Sequence, residues 1–295
     1  MKPELKVIIS MLIWGSLGLF VSAIPYTAPV IACLRAVIGF LILLGANFIA
    51  KEQTSAKDFI AALPIMLFVG AIMGLNWAAL FAAYKFCGVS VATLCYYMAP
   101  VITIILCTVL LKETLTRRKI AGIAIAVIGM VLVNGAGGAA GGTNPILGIG
   151  LALGAAVIYA SVVTINKASK RINSVTPMQS TTVELLGAAI SSGLYAFLSG
   201  SIEWINPGLK GGLAMLLLGV IHTGLAYIFY FGSIPKLPGH TLAVLSYFDP
   251  VSALFFSAIF LSERMSTVQW VGALLVLGGA AVSQLQKRSK KDGMA

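Results

Sequence analysis

Tyr97–Gly129 reads YMAPVITIILCTVLLKETLTRRKIAGIAIAVIG, and Tyr247–Gly279 reads YFDPVSALFFSAIFLSERMSTVQWVGALLVLGG. At one fixed offset of 150 positions, Tyr97 meets Tyr247, Pro100 meets Pro250, Glu113 meets Glu263, Gly122 meets Gly272 and Gly129 meets Gly279. Matches between Val and Leu carry little weight in apolar sequence. A Tyr-x-x-Pro, a lone Glu and two glycines in one register carry much more. Each copy is an apolar run, an acidic break and a second apolar run rich in small residues, so the chain reads as a duplicated unit.

Composition says which solvent surrounds that unit. The 295 residues are 59% hydrophobic and 10% charged, with mean hydropathy +0.99. A soluble protein of this size has no way to hide so much apolar surface, which leaves lipid. A span needs about 20 apolar residues. Ten runs meet that need, near 5–23, 29–50, 59–84, 90–111, 118–135, 146–167, 177–198, 210–232, 240–261 and 267–285. Pro29, Pro145 and Pro177 stand at or just before helix starts, where proline is tolerated. The first run has the look of a signal peptide, but it matches the start of the second half and is expected to be a retained helix. Cys33, Cys87, Cys95 and Cys107 form no C-x-x-C pair and read as reduced packing residues.

The net charge of +11 is no nucleic-acid signature, because the basic residues lie in short turns between apolar runs. With the N-terminus in the cytoplasm, sixteen Lys and Arg fall inside, and Lys85, Lys210 and Arg264 fall outside; Arg35 lies within a span. This bias puts both termini in the cytoplasm. A five-helix unit is odd, so its second copy enters the membrane upside down. The turn at 112–119 (KETLTRRK) is basic and faces in, whereas its copy at 262–269 (SERMSTVQ) keeps only Arg264 and faces out. The expected fold is thus all-α and integral to the membrane, with ten transmembrane helices in two inverted five-helix repeats, 5–135 and 146–285. A Gly-rich linker spans 136–145. It lacks the Gly-Lys-Ser/Thr of a phosphate loop. A basic cytoplasmic tail follows at 286–295, suited to an anionic leaflet.

With these features the sequence resembles the drug/metabolite transporter superfamily, and specifically its EamA-type permeases. The resemblance rests on Asp249-Pro250 with Glu263, and on Ala99-Pro100 with Glu113, each on the fourth helix of a five-helix unit, and covers roughly 5–285. It implies a multi-pass carrier in the cell (plasma or inner) membrane that moves small organic metabolites, often outward, through a cavity between the halves. Ala99 departs from the pattern, so only Asp249 inherits a role for the acidic position.

Ionisable groups at membrane depth are costly and mark pathways or partners. Four qualify: Arg35, Glu184, His222 and Asp249. Asp249 sits roughly 14 Å into its helix, and Pro250 opens the backbone beside it, a setting that suits a cation or proton. Arg35 is six residues from Pro29 and Glu184 seven from Pro177, nearly equivalent places in the two units. The charge and proton-coupling candidates are therefore Asp249, Glu184 and Arg35. Aromatics also pair by position, Trp14 with Tyr159, Trp77 with Tyr227 and Tyr97 with Tyr247. Deep Tyr and Trp need polar partners, which a wet cavity supplies. Trp14, Asn76, Trp77, Tyr97, Tyr159, His222, Tyr227 and Tyr247 are the candidate substrate contacts, and they predict a cavity lined by helices 1, 3, 4, 6, 8 and 9. Pro100, Pro250, Glu113 and Glu263 are assigned to structure, the two glutamates as neighbours of N-caps at Thr116 and Ser266. Helices 5 and 10, rich in glycine, scaffold the fold or join a homodimer; a monomer is the alternative.

With no ATPase module, the expected activity is secondary transport by alternating access. One intramembrane cation argues against phosphorylated substrates. It suits an amino acid or related zwitterion, with Arg35 for the carboxylate and Asp249 or Glu184 for the amine. A lipophilic cation or drug is the alternative cargo. An intramembrane enzyme is the alternative class, disfavoured because no H-E-x-x-H or nucleophile–base pattern is present. A non-transporting scaffold would have no need of the buried charges. No cofactor, metal or nucleic acid is expected.

Overall fold

A computed structural model describes residues 1–50, 54–112, 114–135, 143–203, 205–233, 236–237, 242, 245–246, 248–262 and 265–284. The expectations for Glu113, Tyr247, Glu263, residues 136–142 of the linker and the 286–295 tail lie outside the described residues. All regular structure among the described residues is helical. The elements are α1 (Pro3–Gly15), α2 (Leu17–Ala23), α3 (Ala28–Ala50), α4 (Ala56–Cys87), α5 (Val89–Tyr96), α6 (Ala99–Leu110), α7 (Arg117–Gly135), α8 (Pro145–Ala168), α9 (Lys170–Asn173) and α10 (Pro177–Leu198). After these come α11 (Gly208–Leu217), a π-helical turn (Leu218–Leu225), α12 (Ala226–Phe231), α13 (Phe248–Phe260) and α14 (Thr267–Gln284).

Seven stretches are long and apolar enough to cross a membrane: Pro3–Ala23, Ala28–Ala50, Ala56–Cys87, Val89–Leu110, Pro145–Ala168, Pro177–Leu198 and Gly208–Phe231. Phe248–Phe260 and Thr267–Val282 are apolar but shorter. Helix α7 opens with Arg117, Arg118 and Lys119, which cost it apolar length.

Local chemistry explains the boundaries. Pro145 and Pro177 open α8 and α10. Asn144 Oδ1 and Thr176 Oγ1 accept the Leu147 and Gln179 N–H groups, each at 3.3 Å, as N-caps do. Thr116 Oγ1 accepts from Lys119 N at 3.3 Å. Ser266 and Gln269 close a reciprocal capping box, at 3.2 and 2.9 Å. Lys112 and Ser262, 150 positions apart, both have φ 55°, and each follows the end of an apolar helix. A left-handed residue just past a helix satisfies its last carbonyls.

Helix association in lipid depends on close packing more than on apolar burial. Helices α7 and α14 pack on each other through glycine. A Cβ on Gly129 would meet Gly272 O and Val276 N, each at 2.6 Å; a Cβ on Gly279 would meet Ala126 N at 2.5 Å and Gly122 O at 2.6 Å. As numbers rise along α7 they fall along α14, so the pair is antiparallel at this contact. Shifted by 150, each half of the contact becomes the other. This glycine face is consumed inside the chain, so a homodimer through these two helices would use their other faces. Helices α3, α4 and α10 form a second tight group, where Gly70 abuts the Glu184 backbone and Gly187 abuts Leu67 and Ala71.

Candidate functional site

Three of the membrane-length stretches lose regularity along their course. The first span breaks at Ser16, between α1 and α2. The fourth breaks at Tyr97–Met98, just ahead of Pro100. The stretch Gly208–Phe231 loosens into the π turn Leu218–Leu225, a form that often accompanies function. The first and third of these are tied together. Trp14 Nε1 donates to the His222 carbonyl at 2.8 Å, Ser10 Oγ to the Ala226 carbonyl at 3.0 Å, and Ser16 Oγ meets His222 Nε2 at 2.9 Å.

Beside the first two breaks lies a cavity of about 500 Å³, within the range of small-molecule sites. Trp14, Trp77, Tyr97, Tyr159 and Tyr227 line it, with Arg35, Glu184, Asp249 and Pro100. Helices α7 and α14 contribute no lining residue among those described. The sequence predicted six lining helices; α3 and α10 belong with them, because α3 supplies Arg35 and α10 supplies Thr181, Glu184, Leu185 and Ala188. These four positions on α10 recur at helical spacing and so share one face.

Arg35 is only 3% exposed. Its Nε donates to Thr223 Oγ1 at 2.8 Å, and its guanidinium stands 4.3 Å from the Trp77 ring centroid and 5.8 Å from that of Phe81. Tyr227 stands beside it in the cavity lining. Stacking on Trp is worth about 2 kcal/mol at a desolvated site. Thr223 is held in turn by the Leu218 carbonyl, across the π turn, at 3.1 Å. Asp249 lies in the first turn of α13 and faces the Tyr97 side chain. Glu184 faces the Asn166 side chain of α8.

Two predicted contacts are placed elsewhere. Asn76 is fully buried behind the cavity wall: its Nδ2 donates to the Ala155 carbonyl at 2.5 Å and its Oδ1 accepts from Tyr96 at 3.3 Å. A buried amide is costly until paired, and here it joins α4 to α8. His222 is 2% exposed and also stands behind the wall, with Nδ1 3.2 Å from the Leu217 carbonyl and its ring against Phe20. Pro250 is buried outside the lining. Among the described residues no three His, Cys, Asp or Glu side chains gather as metal ligands would.

Sequence reasoning passed over Tyr84, Tyr96, Tyr230, Phe231 and Asn166, all of which line the cavity. Tyr227, Tyr230 and Phe231 carried a signal, since i, i+3 and i+4 fall on one helical face. Trp14 packs edge-on against Tyr227, with centroids 5.4 Å apart, and against Tyr230 at 5.2 Å. Asn166 gave none, because its role depends on a neighbour from another helix.

The chain is similar to several known proteins. It is 26% identical to the uncharacterized transporter YxxF of Bacillus subtilis (strain 168) over 296 residues, 98% of this chain and 91% of the relative. It is likewise 26% identical to the uncharacterized transporter YwfM of the same organism, over 97% of this chain and 95% of that one. A protein of known crystal structure shares the fold with a TM-score of 0.67 at 23% identity, over 96% of each chain. Residues 1–135 and 146–284 both match the EamA-like transporter family. With nearly the whole chain matched and its apolar helices built to cross a bilayer, this is a multi-pass membrane protein that belongs to the EamA-like transporter family.

Proposed function

We propose that the protein is a secondary transporter that exports an amino acid or related zwitterion by alternating access around the central cavity. The observation that carries this reading is the lining itself: one guanidinium and two carboxylates inside about 500 Å³ walled by tyrosine and tryptophan. Arg35 takes the substrate carboxylate, Asp249 or Glu184 its ammonium group, and the rings its side chain. Charge-assisted hydrogen bonds at both ends of a zwitterion orient it in a low-dielectric site. Tyr97, Tyr159, Tyr227, Trp14 and Trp77 are the aromatic contacts.

Alternating access needs two halves that exchange roles. The reciprocal Gly129 and Gly279 contacts support two inverted five-helix repeats related by a pseudo-two-fold axis in the membrane plane, as do the paired φ values at Lys112 and Ser262. Ten spans and both termini in the cytoplasm are the reading that this arrangement and the inside bias of Lys and Arg support, and the family resemblance supports the cell (plasma or inner) membrane. A lipophilic cation is the second reading, favoured by Asp249 and Glu184 among aromatic rings and opposed by Arg35 in the same lining. The test is a metabolite panel, comparing export by cells with and without the protein, followed by flux of ¹⁴C-labelled amino acids in proteoliposomes. Movement of amines or another class, with no amino acid moved, refutes the proposal.

A further inference from the structure

Arg35 is buried, with its guanidinium against the Trp77 ring and its Nε donating to Thr223 Oγ1 at 2.8 Å. A guanidinium carries five N–H groups in one rigid plane. The group on Nε is spent on Thr223, and one face of the plane is turned to Trp77. The N–H groups that remain are those of the two Nη nitrogens. A carboxylate pairs with two N–H groups at once, either side-on, through Nε and one Nη, or end-on, through both Nη. With Nε engaged, the end-on edge is the one left for a ligand.

Thr223 is fixed in its role. Nε only donates, so Oγ1 accepts from it, and the single hydroxyl proton goes to the Leu218 carbonyl at 3.1 Å, five residues back. Thr103, Thr164 and Thr182, in regular helix, return theirs to the carbonyl four residues back. The longer reach of Thr223 belongs to the wide π turn, and it leaves a lone pair for α3. The γ-methyl is fixed as well. A Cβ on Gly39, one turn past Arg35, would lie 2.3 Å from Thr223 Cγ2, so α3 touches the π turn at both positions. At the counterpart position 150 residues earlier, α4 runs on as regular helix and carries Met73. Hydroxyl and wide turn therefore occur together, against Arg35. Thr223 is fully buried and stands outside the cavity lining, so it acts through Arg35.

From this geometry we infer that Thr223 is a positioning residue for the substrate's carboxylate: it holds Arg35 by Nε, so that the guanidinium meets that carboxylate end-on through both Nη groups. The inference rests on the zwitterion reading and deepens it by stating which edge of Arg35 does the reading. Without the hydroxyl, Nε is left buried with an unspent donor. The guanidinium then turns to satisfy it, and the end-on edge is lost to the ligand. A ligand that has an amine and no carboxylate does not use that edge and is indifferent to the loss.

The experiment compares Thr223→Val, Thr223→Ala and Thr223→Ser in proteoliposomes, with the amino acid moved fastest in the ¹⁴C panel. Valine keeps the shape of threonine without the hydroxyl. Alanine and serine both lose the γ-methyl and differ from each other only in the hydroxyl, so that pair gives the answer even if Thr223→Val does not fold. Thr223→Val and Thr223→Ala should raise KM roughly 10–150-fold, the worth of a hydrogen bond to a charged group, with the maximal rate close to wild type. Thr223→Ser should restore most of the affinity. The inhibition constant of the amide of the same amino acid should be the same in all four proteins. A general loosening of the helices would weaken amino acid and amide alike, and that result overturns the inference. So does a wild-type KM in Thr223→Ala, or a Thr223→Ser protein as impaired as Thr223→Ala. In each of these cases wild type still moves the amino acid and the zwitterion reading stands. If wild type moves no amino acid while moving another class, that reading fails first and the inference falls with it.

Discussion

Gly278 and Gly279 are neighbours on α14, yet replacing each by alanine should have opposite effects. A Cβ on Gly278 meets nothing within 4 Å, so Gly278→Ala adds only helix propensity, up to about 1 kcal/mol of stabilisation. A Cβ on Gly279 would lie 2.5 Å from Ala126 N and 2.6 Å from Gly122 O, where ordinary contact begins at 3.4 Å. The atoms it meets are backbone, so no side chain can swing aside. Helices α7 and α14 must part by about 0.8 Å, and overpacking of this kind costs about 1–3 kcal/mol. Gly129→Ala should cost the same, because its Cβ would meet Gly272 O and Val276 N at 2.6 Å. The double variant should cost less than the two singles together, since one separation relieves both clashes. The assay is thermal unfolding of the purified protein in detergent, read by loss of the monodisperse peak. Equal stability of Gly278→Ala and Gly279→Ala refutes the packing. Unequal costs for Gly129→Ala and Gly279→Ala refute the pseudo-two-fold relation drawn from it.

Three further outcomes test the cavity. Arg35→Lys keeps the charge but loses the flat stack on Trp77, and should raise KM for an amino acid roughly thirtyfold, the equivalent of about 2 kcal/mol; an unchanged KM in proteoliposome flux removes Arg35 from the site. Asp249→Asn removes the anion offered to the ammonium group and should weaken binding roughly 10–150-fold, the worth of a hydrogen bond to a charged group; equal affinities in a scintillation proximity assay contradict that role. Gly70→Ala would set a Cβ 2.7 Å from the Glu184 carbonyl carbon and Cα, displace α10 from α4 and reduce flux, whereas Gly45→Ala, with nothing within 4 Å, should leave flux at the wild-type level; matching flux in the two variants argues against a fixed Glu184.

Much of this was legible in the residues. Apolar runs, prolines and capping residues set the helix boundaries through local rules, which is why Pro145, Pro177, Thr116 and Ser266 stand where expected. Arg35, Glu184 and Asp249 were visible because charge in an apolar run is rare and expensive, and all three line one cavity. Facing was harder to read. Asn76 and His222 looked like site residues by depth, but depth does not say which side of a helix meets the cavity, and both are spent on carbonyls and hydroxyls of neighbouring helices. The π turn was invisible, since no residue type forces it; it depends on the match between Thr223, His222 and the helices on either side. Asn166 and Thr223 acquire meaning only through Glu184 and Arg35, which come from elements distant in sequence.

The central claim is that the cavity reads both ends of a zwitterion. The most direct measurement is competition against the flux of one labelled amino acid in proteoliposomes, by its amide (which keeps the amine alone), its N-acetyl derivative (which keeps the acid alone) and the intact unlabelled compound. The account predicts that only the intact amino acid competes strongly. Equal competition by the amide would mean that Arg35 holds no carboxylate, and would point instead to a carrier of organic cations.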